Sequence, residues 1–354
     1  MLLMLAMISV GAWAQKITSV SGIISGHKYY IGATTGGTDY YFCTDCSELS
    51  NSVNGTSATS KSAATVLVFE YKNNTGRWNL KFDGTNYYMS LGTANSDKGK
   101  VQVVNSAADF NIAAAGSLLQ ISKGNSLQLN TNNLSQFGSF SGATTNTINV
   151  WLEEATATIS LNPACTDGSK VYGTYSNASA WVVPEDLTVS AITVSGETLT
   201  KDNYATGDIV PANTGVLVSA SAGGDYTVYL SSEVGAPKTN ALRPTGNGIT
   251  AEAMATAEAG KEYFRLTMHN GSECGFWWGA ADGAAFALGA NKAYLVADPA
   301  STSARGFSFS DNSEALESIE ISRATTIYTL DGVKVNELRK GLNIVNGKKV
   351  MVMD

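Results

Sequence analysis

Short apolar segments alternate with breaks rich in Gly, Asn and Asp along nearly the whole chain. Typical examples are HKYYIGA from His27, RWNLKFDGTNYYMSLG from Arg77 and GVLVSAS from Gly215. Such alternation, or a short apolar run between turn residues, predicts β-strands. Only TAEAMATAEA, residues 250–259, is a run of good helix formers. We therefore predict an all-β protein with one short helix.

Residues 15–155 contain a weak threefold repeat. Each unit has an apolar strand, a turn, a second strand, a variable loop and a closing apolar strand. The first strands are predicted to begin at Tyr29, Trp78 and Leu118, at spacings of 49 and 40 residues. The turns Asp83-Gly84 and Lys123-Gly124-Asn125 have the composition of hairpins.

This repeat resembles a β-trefoil of the ricin-type lectin arrangement. The Q-x-W signature of ricin-type repeats is absent, and Phe69, Phe110 and Trp151 take its place. The resemblance implies a β-trefoil-like binding domain over residues 15–155. A plain β-sandwich is the alternative for this region.

Residues 156–311 consist of regular short strands, which predict a β-sandwich or a partly open barrel. The segments DIVPANTGVLV, GFWWG and ALGANKAYLV resemble a module of surface and secreted proteins from Bacteroides- and Prevotella-like bacteria. The resemblance carries no chemistry. It implies that Pro211 and Gly215 set turns and that Tyr294 fills the core.

Residues 312–354 predict a small Ig-like β tail with hairpins at Asp331-Gly332 and Asn346-Gly347. The segments IYTLDGVKV and KGLNIVNGKKV resemble the C-terminal sorting domain of Bacteroidetes proteins that use type IX secretion. Asn343 departs from the aromatic residue usual in that pattern. The resemblance implies secretion machinery as a partner, and an ordinary terminal hairpin unit is the alternative. The matching positions are Tyr328, Leu330, Gly332, Val335, Gly341, Asn346, Gly347, Lys348 and Lys349.

The N-terminus reads MLLMLAMISVGAWA, with an apolar stretch followed by an A-x-A cleavage pattern. We interpret residues 1–14 as a signal peptide and Gln15 as the first mature residue. The usual basic segment is missing, so we expect the full signal to begin further upstream. From this signal peptide we expect the protein to be secreted or displayed at the cell surface. No segment is long and apolar enough to predict a transmembrane span.

Charged residues make up 15% of the chain and the net charge is −7. An acidic surface repels phosphate backbones, so we do not expect nucleic acid as a partner. The chain has two histidines, His27 and His269, which we interpret as solvated turn residues. Known catalytic, nucleotide and metal motifs are absent from the sequence. We expect no cofactor and no metal, and we disfavour an enzyme while keeping a hydrolase with an unrecognised site as an alternative.

The four cysteines fit an exported protein. Cys43 and Cys46 form a C-x-x-C, which predicts either a local disulfide or two free thiols. A zinc site is disfavoured because a second cysteine pair is missing nearby. Cys165 and Cys274 are candidates for a pair across the middle region.

Adjacent tyrosines on predicted strands send one ring inward and one outward. Outward rings beside Asp and Asn suit sugars, because the ring face stacks on apolar C–H groups while the polar side chains bond hydroxyls. Our candidate ligand-binding residues are Asp83, Asn86, Tyr87, Tyr88, Trp277 and Trp278.

We therefore expect an exported, non-catalytic protein that binds glycans or a partner surface. A structural adhesin or surface-assembly subunit is the alternative from a different class, since its strands could pair with other chains.

Overall fold

The chain folds almost entirely into antiparallel β-sheets. The structure is a computed structural model that describes residues 15–141, 146–162, 165–196, 198–299 and 306–309, and the backbone of four strands between residues 327 and 352. The first fourteen strands are β1 (Lys28–Thr35), β2 (Thr38–Cys43), β3 (Ser50–Asn54), β4 (Thr56–Ala58), β5 (Val66–Lys72), β6 (Arg77–Phe82), β7 (Tyr88–Ser90), β8 (Lys100–Val104), β9 (Asn111–Ala115), β10 (Leu118–Lys123), β11 (Asn125–Asn130), β12 (Phe137–Phe140), β13 (Thr147–Ile148) and β14 (Trp151–Glu154).

A second group of strands follows in residues 156–308. They are β15 (Thr156–Ser160), β16 (Cys165–Asp167), β17 (Lys170–Tyr175), β18 (Ala180–Val182), β19 (Thr188–Ser195), β20 (Thr198–Tyr204), β21 (Ile209–Val210), β22 (Val216–Ala220), β23 (Asp225–Ser231), β24 (Leu242–Pro244), β25 (Glu262–His269), β26 (Glu273–Trp278), β27 (Ala293–Ala297) and β28 (Gly306–Ser308). The 3-10 turns are Val20–Gly22, Lys61–Ala63, Asn95–Asp97 and Ala281–Gly283.

The predicted helix is confirmed as α1 (Ala251–Ala257). The Thr250 hydroxyl accepts a hydrogen bond from the amide of Ala253 at 3.2 Å, which satisfies one of the free donors of the first turn. Met254 is the buried residue of this helix and packs on Tyr263 and Tyr294.

Strand pairing in the first part of the chain runs around a ring. β1 pairs with β5, β5 with β6, β9 with β10, and β14 returns to β1. Two bridges complete the ring, Trp78 with Phe110 and Leu119 with Val150. In each predicted repeat unit, the first strand therefore pairs with the closing strand of the same unit. The result is a nearly closed, barrel-like sheet.

The centre of this ring is filled by apolar side chains from every unit. Tyr29, Phe69, Leu80, Phe110 and Leu129 all have no measurable exposure. The two predicted hairpins are confirmed, with Gly84 and Gly124 at φ values of 71° and 76°, a conformation that glycine adopts without strain.

Residues 156–309 form three stacked sheets, one more than a simple sandwich. Sheet 3 has the order β15-β23-β18-β21, sheet 4 has β16-β17-β22-β19-β20, and sheet 5 has β24-β27-β25-β26-β28. Sheet 4 lies in the middle: Val216 and Val218 on β22 face sheet 3, whereas Leu217 between them faces sheet 5. The apolar run GVLVSA is buried at every residue of β22 because both of its faces are covered.

The tail strands are β29 (Ile327–Thr329), β30 (Lys334–Val335), β31 (Gly341–Val345) and β32 (Lys348–Val352). They pair in the order β30-β29-β31-β32, all antiparallel. Strands therefore occupy the segments that the sequence predicted as strands.

Candidate functional site

The first and second strand groups are joined by backbone hydrogen bonds at the end of β23. The amide of Leu230 donates to the carbonyl of Ala155 at 2.9 Å, and the amide of Ser232 donates to Gly26 at 3.0 Å. A bridge pairs His27 with Ser231. Because these contacts involve the backbone, the end of β23 has a fixed position against β1.

A cavity of about 360 Å³ opens beside this contact, and we call it the junction cavity. The β6–β7 turn supplies most of its wall. Its polar lining is Lys81, Asp83, Thr85, Asn86 and Ser232, with Val68 and Phe82 among the apolar neighbours. The structure thus brings two predicted residues, Asp83 and Asn86, to one cavity.

The two predicted tyrosines divide between the faces of the sheet, as the alternation requires. Tyr87 packs, half-buried, against the barrel core. Tyr88 is also half-buried and lies on β7 directly opposite Lys81 of the cavity lining. Tyr88 is therefore a strand neighbour of the lining, whereas the aromatic residue within the lining is Phe82.

Lys28 sets the electrostatics of this region. Its ammonium lies 2.8 and 3.0 Å from the two carboxylate oxygens of Asp83 and 3.0 Å from the hydroxyl of Ser179. The Lys28 side chain is only 8% exposed, so the pair is shielded from water on the lysine side. Burial, with the charges of Glu153 and Asp83, raises the pKa of nearby Tyr30 above its ordinary value.

Each Asp83 oxygen retains a lone pair for a further donor. Asn86 is exposed and offers both a donor and an acceptor. The Ser232 hydroxyl donates to the Gly26 carbonyl at 3.0 Å and keeps its acceptor lone pairs. The cavity therefore presents donors and acceptors together, which is the pattern that hydroxyl groups require.

Tyr41, another tyrosine of the barrel that points outward, is covered. It is 6% exposed and donates to Glu153 at 3.1 Å, and Lys61 pairs with the same carboxylate. Glu154 turns to the other side and contacts His27, so the two adjacent glutamates are separated as the strand alternation predicts.

Trp277 and Trp278 lie on β26 and are both half-buried. The Trp277 indole stacks on the His269 imidazole, with ring centroids 4.1 Å apart and planes at 16°. A methyl group on Gly306 would come within 2.1 Å of the same indole. The Trp278 indole N–H lies 3.4 Å from Glu262. Neighbours thus occupy much of both rings, and the two residues lie on sheet 5, away from the lining of the junction cavity.

The two histidines have different environments. His269 is exposed as expected, but it is the last residue of β25 and not a turn residue, and its ring stacks on Trp277. The interpretation of His27 as solvated was wrong: it is 9% exposed, and its Nδ1 lies 2.7 Å from Glu154. The reason is tertiary, because the docking of β23 covers the turn before β1. Within the described residues, no group of three or more His, Cys, Asp or Glu side chains is arranged to hold a metal ion.

Cys165 and Cys274 form a disulfide between β16 and β26. Cys43 and Cys46 are free and half-buried, and burial raises the pKa of both thiols.

The sorting-motif positions fall partly on described strands. Tyr328, Val335, Gly341, Lys348 and Lys349 lie on β29 to β32. The positions outside the described residues are Leu330, Gly332, Asn346 and Gly347, and the signal segment 1–14 lies outside them as well.

Across the residues that the structure describes, no helix has the length and apolar character needed to cross a bilayer. No protein-family model matches the chain, and no curated protein matches it either.

Proposed function

We propose that this chain is an exported, non-catalytic protein that binds glycans at the junction cavity. Its first part would be a β-trefoil-like binding domain, followed by a sandwich module and a small Ig-like tail that acts in sorting or attachment. The protein would be secreted or displayed at the cell surface. Its ligand would be a glycan, and its tail would interact with secretion machinery.

One observation carries the binding proposal. The junction cavity gathers Asp83, Thr85, Asn86, Lys81 and Ser232 in one space of about 360 Å³. That volume lies near the lower end of ligand pockets, which span about 300–1,000 Å³. Tyr88, which is half-buried, is the cross-strand partner of the lining residue Lys81. Hydroxyl-bonding side chains next to an aromatic face suit a small saccharide.

The pairing ring supports the β-trefoil part of the proposal. In each of the three repeat units the first strand contacts the closing strand, through a ladder of three residue pairs in the first unit and a single bridge in each of the other two. The disulfide supports export, because such bonds persist mainly in oxidising compartments.

The test is binding of the purified chain to a broad glycan array, followed by calorimetry on the best ligand. We expect Asn86→Ala to lower affinity about 3–10-fold, the equivalent of one hydrogen bond. Tyr88→Ala should weaken binding, while Tyr88→Phe, which keeps the ring face, should retain most of it. Asn86 is exposed and makes no described side-chain contact, so the fold should tolerate its loss.

Asn95→Ala is the matched control, since Asn95 is exposed on a 3-10 turn outside the lining. Failure to bind any glycan, or equal loss with Asn95→Ala, would refute the proposal.

A structural adhesin requires strand edges that can accept another chain. β20 is an edge strand of sheet 4 and pairs with β19 alone among the described strands. Lys201 and Asp202 at its middle oppose pairing with a second chain, because charges on an edge disfavour strand addition. This edge of sheet 4 therefore disfavours strand addition.

A further inference from the structure

β15 forms one edge of sheet 3. It runs antiparallel to β23 from Thr156 to Ser160 and pairs with no other strand that the structure describes. The register is continuous over these residue pairs, whereas a bulge interrupts the pairing of β3 with β8. The side of β15 away from β23 is therefore an unbroken edge of five residues.

Hydrogen bonds at the two ends of β15 show which of its residues bond β23. The amide of Leu230 donates to the carbonyl of Ala155 at 2.9 Å, and the amide of Leu161 donates to the carbonyl of Gly224 at 3.0 Å. In an antiparallel pair, directly opposed residues alternate between hydrogen-bonded and non-hydrogen-bonded positions. Since residues 155 and 161 are both hydrogen-bonded positions, residues 157 and 159 between them are hydrogen-bonded to β23 as well.

The alternate residues Thr156, Thr158 and Ser160 turn their N–H and C=O groups towards the free edge. Among the described residues, no other group bonds these amides and carbonyls. Thr158 and Ser160 are exposed. A row of unpaired backbone groups that solvent can reach is a template for a further strand.

The edge is fixed by the packing beneath it. Ile159 and Leu161 are buried, and both belong to the apolar core between sheets 3 and 4. Ala157 packs against the same core. A strand added to β15 would meet backbone groups that already have fixed positions, which lowers the entropy lost on binding.

β15 lacks the features by which sheet edges commonly avoid pairing. Charged side chains, proline and bulges serve this purpose. The β15 sequence TATIS has no charge and no proline, and its register has no bulge. The edge strand β20 of sheet 4, in contrast, carries Lys201 and Asp202. Strand addition is therefore opposed at β20 and unopposed at β15.

The sequence of β15 is also complementary to itself. In an antiparallel pair centred on Thr158, this residue lies opposite Thr158 of the second copy, and Thr156 lies opposite Ser160. Hydroxyl side chains then face one another on the solvent side of the sheet, and such cross-strand pairs are favourable. Ala157 lies opposite Ile159 on the core side, so apolar residues also meet apolar residues.

We propose that two copies of this chain associate through β15, antiparallel and centred on Thr158. Each of the three opposed pairs that involve Thr156, Thr158 and Ser160 exchanges two hydrogen bonds, so every free N–H and C=O of the edge gains a partner. The contact is the same on both copies and closes on itself, so it gives a dimer and not a fibre. The self-complementary register favours a second copy over an unrelated peptide as the occupant.

The first test is light scattering of the full chain over a dilution series. We expect a dimer that dissociates on dilution. Thr158→Lys should be a monomer where the native chain is a dimer, because it places two like charges opposite one another at the centre of the contact. Thr200→Lys is the matched control, since Thr200 is an exposed threonine of the β20 edge, and it should leave the dimer intact.

A cysteine variant tests the register. Opposed residues of a hydrogen-bonded pair have Cα atoms about 5.5 Å apart, a distance that a disulfide spans. Thr158→Cys should therefore form a covalent dimer with oxidised glutathione. Ser160→Cys is the control, because its two copies would be offset by four residues, or about 14 Å along the strands. Cys43 and Cys46 are free in both variants, so cross-linking through them would appear equally in each.

A chain that stays monomeric at every concentration would overturn the proposal, and so would equal dissociation with Thr200→Lys or equal cross-linking of Ser160→Cys. A monomer whose Thr158 amide is protected from hydrogen exchange would overturn it too, and would assign the edge to another segment of the same chain. Asn86→Ala should leave the dimer unchanged, because β15 lies outside the lining of the junction cavity. Thermal unfolding of each variant checks that the fold is retained.

Discussion

Loss of the Cys165–Cys274 disulfide should destabilise the three-sheet part of the chain far more than the barrel. The bond joins β16 of sheet 4 to β26 of sheet 5, and both cysteines are buried, at 5% and 2% exposure. The chain between them forms most of sheets 3 and 4, together with α1. The perturbation is a Cys165→Ala/Cys274→Ala double variant, or reduction of the native chain.

The magnitude follows from the closed loop. The cysteines are separated by 109 residues. For a loop of that length, the lost loop-closure entropy of the unfolded chain corresponds to roughly 4–5 kcal/mol of stability. For a unit of this size, each kcal/mol changes Tm by about 2–4 °C, so the Tm should fall by roughly 10–20 °C.

Hydrogen exchange followed by mass spectrometry locates the effect. Peptides from residues 165–278 should lose protection after reduction, while peptides from β5, β6 and β10 should keep most of theirs. Thiol alkylation of the denatured chain supplies the control: two cysteines, Cys43 and Cys46, should react before reduction and four afterwards. Unchanged protection in residues 165–278 after complete reduction would refute the entropic argument, and four reactive thiols before reduction would refute the bond itself.

Two further predictions concern the barrel. Gly32→Ala should lower the free energy of unfolding by about 1–3 kcal/mol, because the new methyl would lie 2.2 Å from the Trp151 indole. Gly289→Ala is the control: the space around Gly289 is open, so the change should be less than about 0.5 kcal/mol. Thermal unfolding measures both. Stability should also fall as pH rises above 10, because burial raises the pKa of Tyr41 above its ordinary value of 10.0 and the folded state keeps the proton that the unfolded state releases. Urea unfolding across this range should show a smaller loss for Tyr41→Phe, and an identical slope would contradict the assignment.

Much of the strand pattern was predictable from local sequence. The first strands of the three repeat units were expected to begin at Tyr29, Trp78 and Leu118, and they begin at Lys28, Arg77 and Leu118. The alternation of apolar and polar residues and the glycine-containing turns are both local signals, so they can be recognised within a few residues of sequence. The helix after Thr250 was predictable for the same reason.

The third layer of residues 156–309 was not predicted, although β22 held a signal for it. A run such as Val216 to Ala220 without a polar face requires cover on both sides. Which strands supply that cover depends on contacts across long stretches of sequence, and Leu217 packing towards sheet 5 is such a contact.

The candidate sites illustrate the same limit. Asp83 and Asn86 could be selected from a turn beside paired tyrosines, but Ser232 reaches the junction cavity only because β23 docks on residues 26–28. Spacing along the chain holds no trace of that contact.

The junction cavity lies at a turn, where regular strand pairing stops, and this follows from how sheets are built. Inside a sheet, the backbone groups bond each other and the side chains fill the space on each face. Two aromatic residues within strands are covered by neighbours, Tyr41 by Glu153 and Trp277 by His269, whereas Tyr229 on β23 is 43% exposed. At a turn the pairing ends and polar side chains face open space, as the exposed side chain of Asn86 does at the junction cavity. In a stacked β protein of this kind, turns where strand pairing ends are therefore the first places to look for ligand sites.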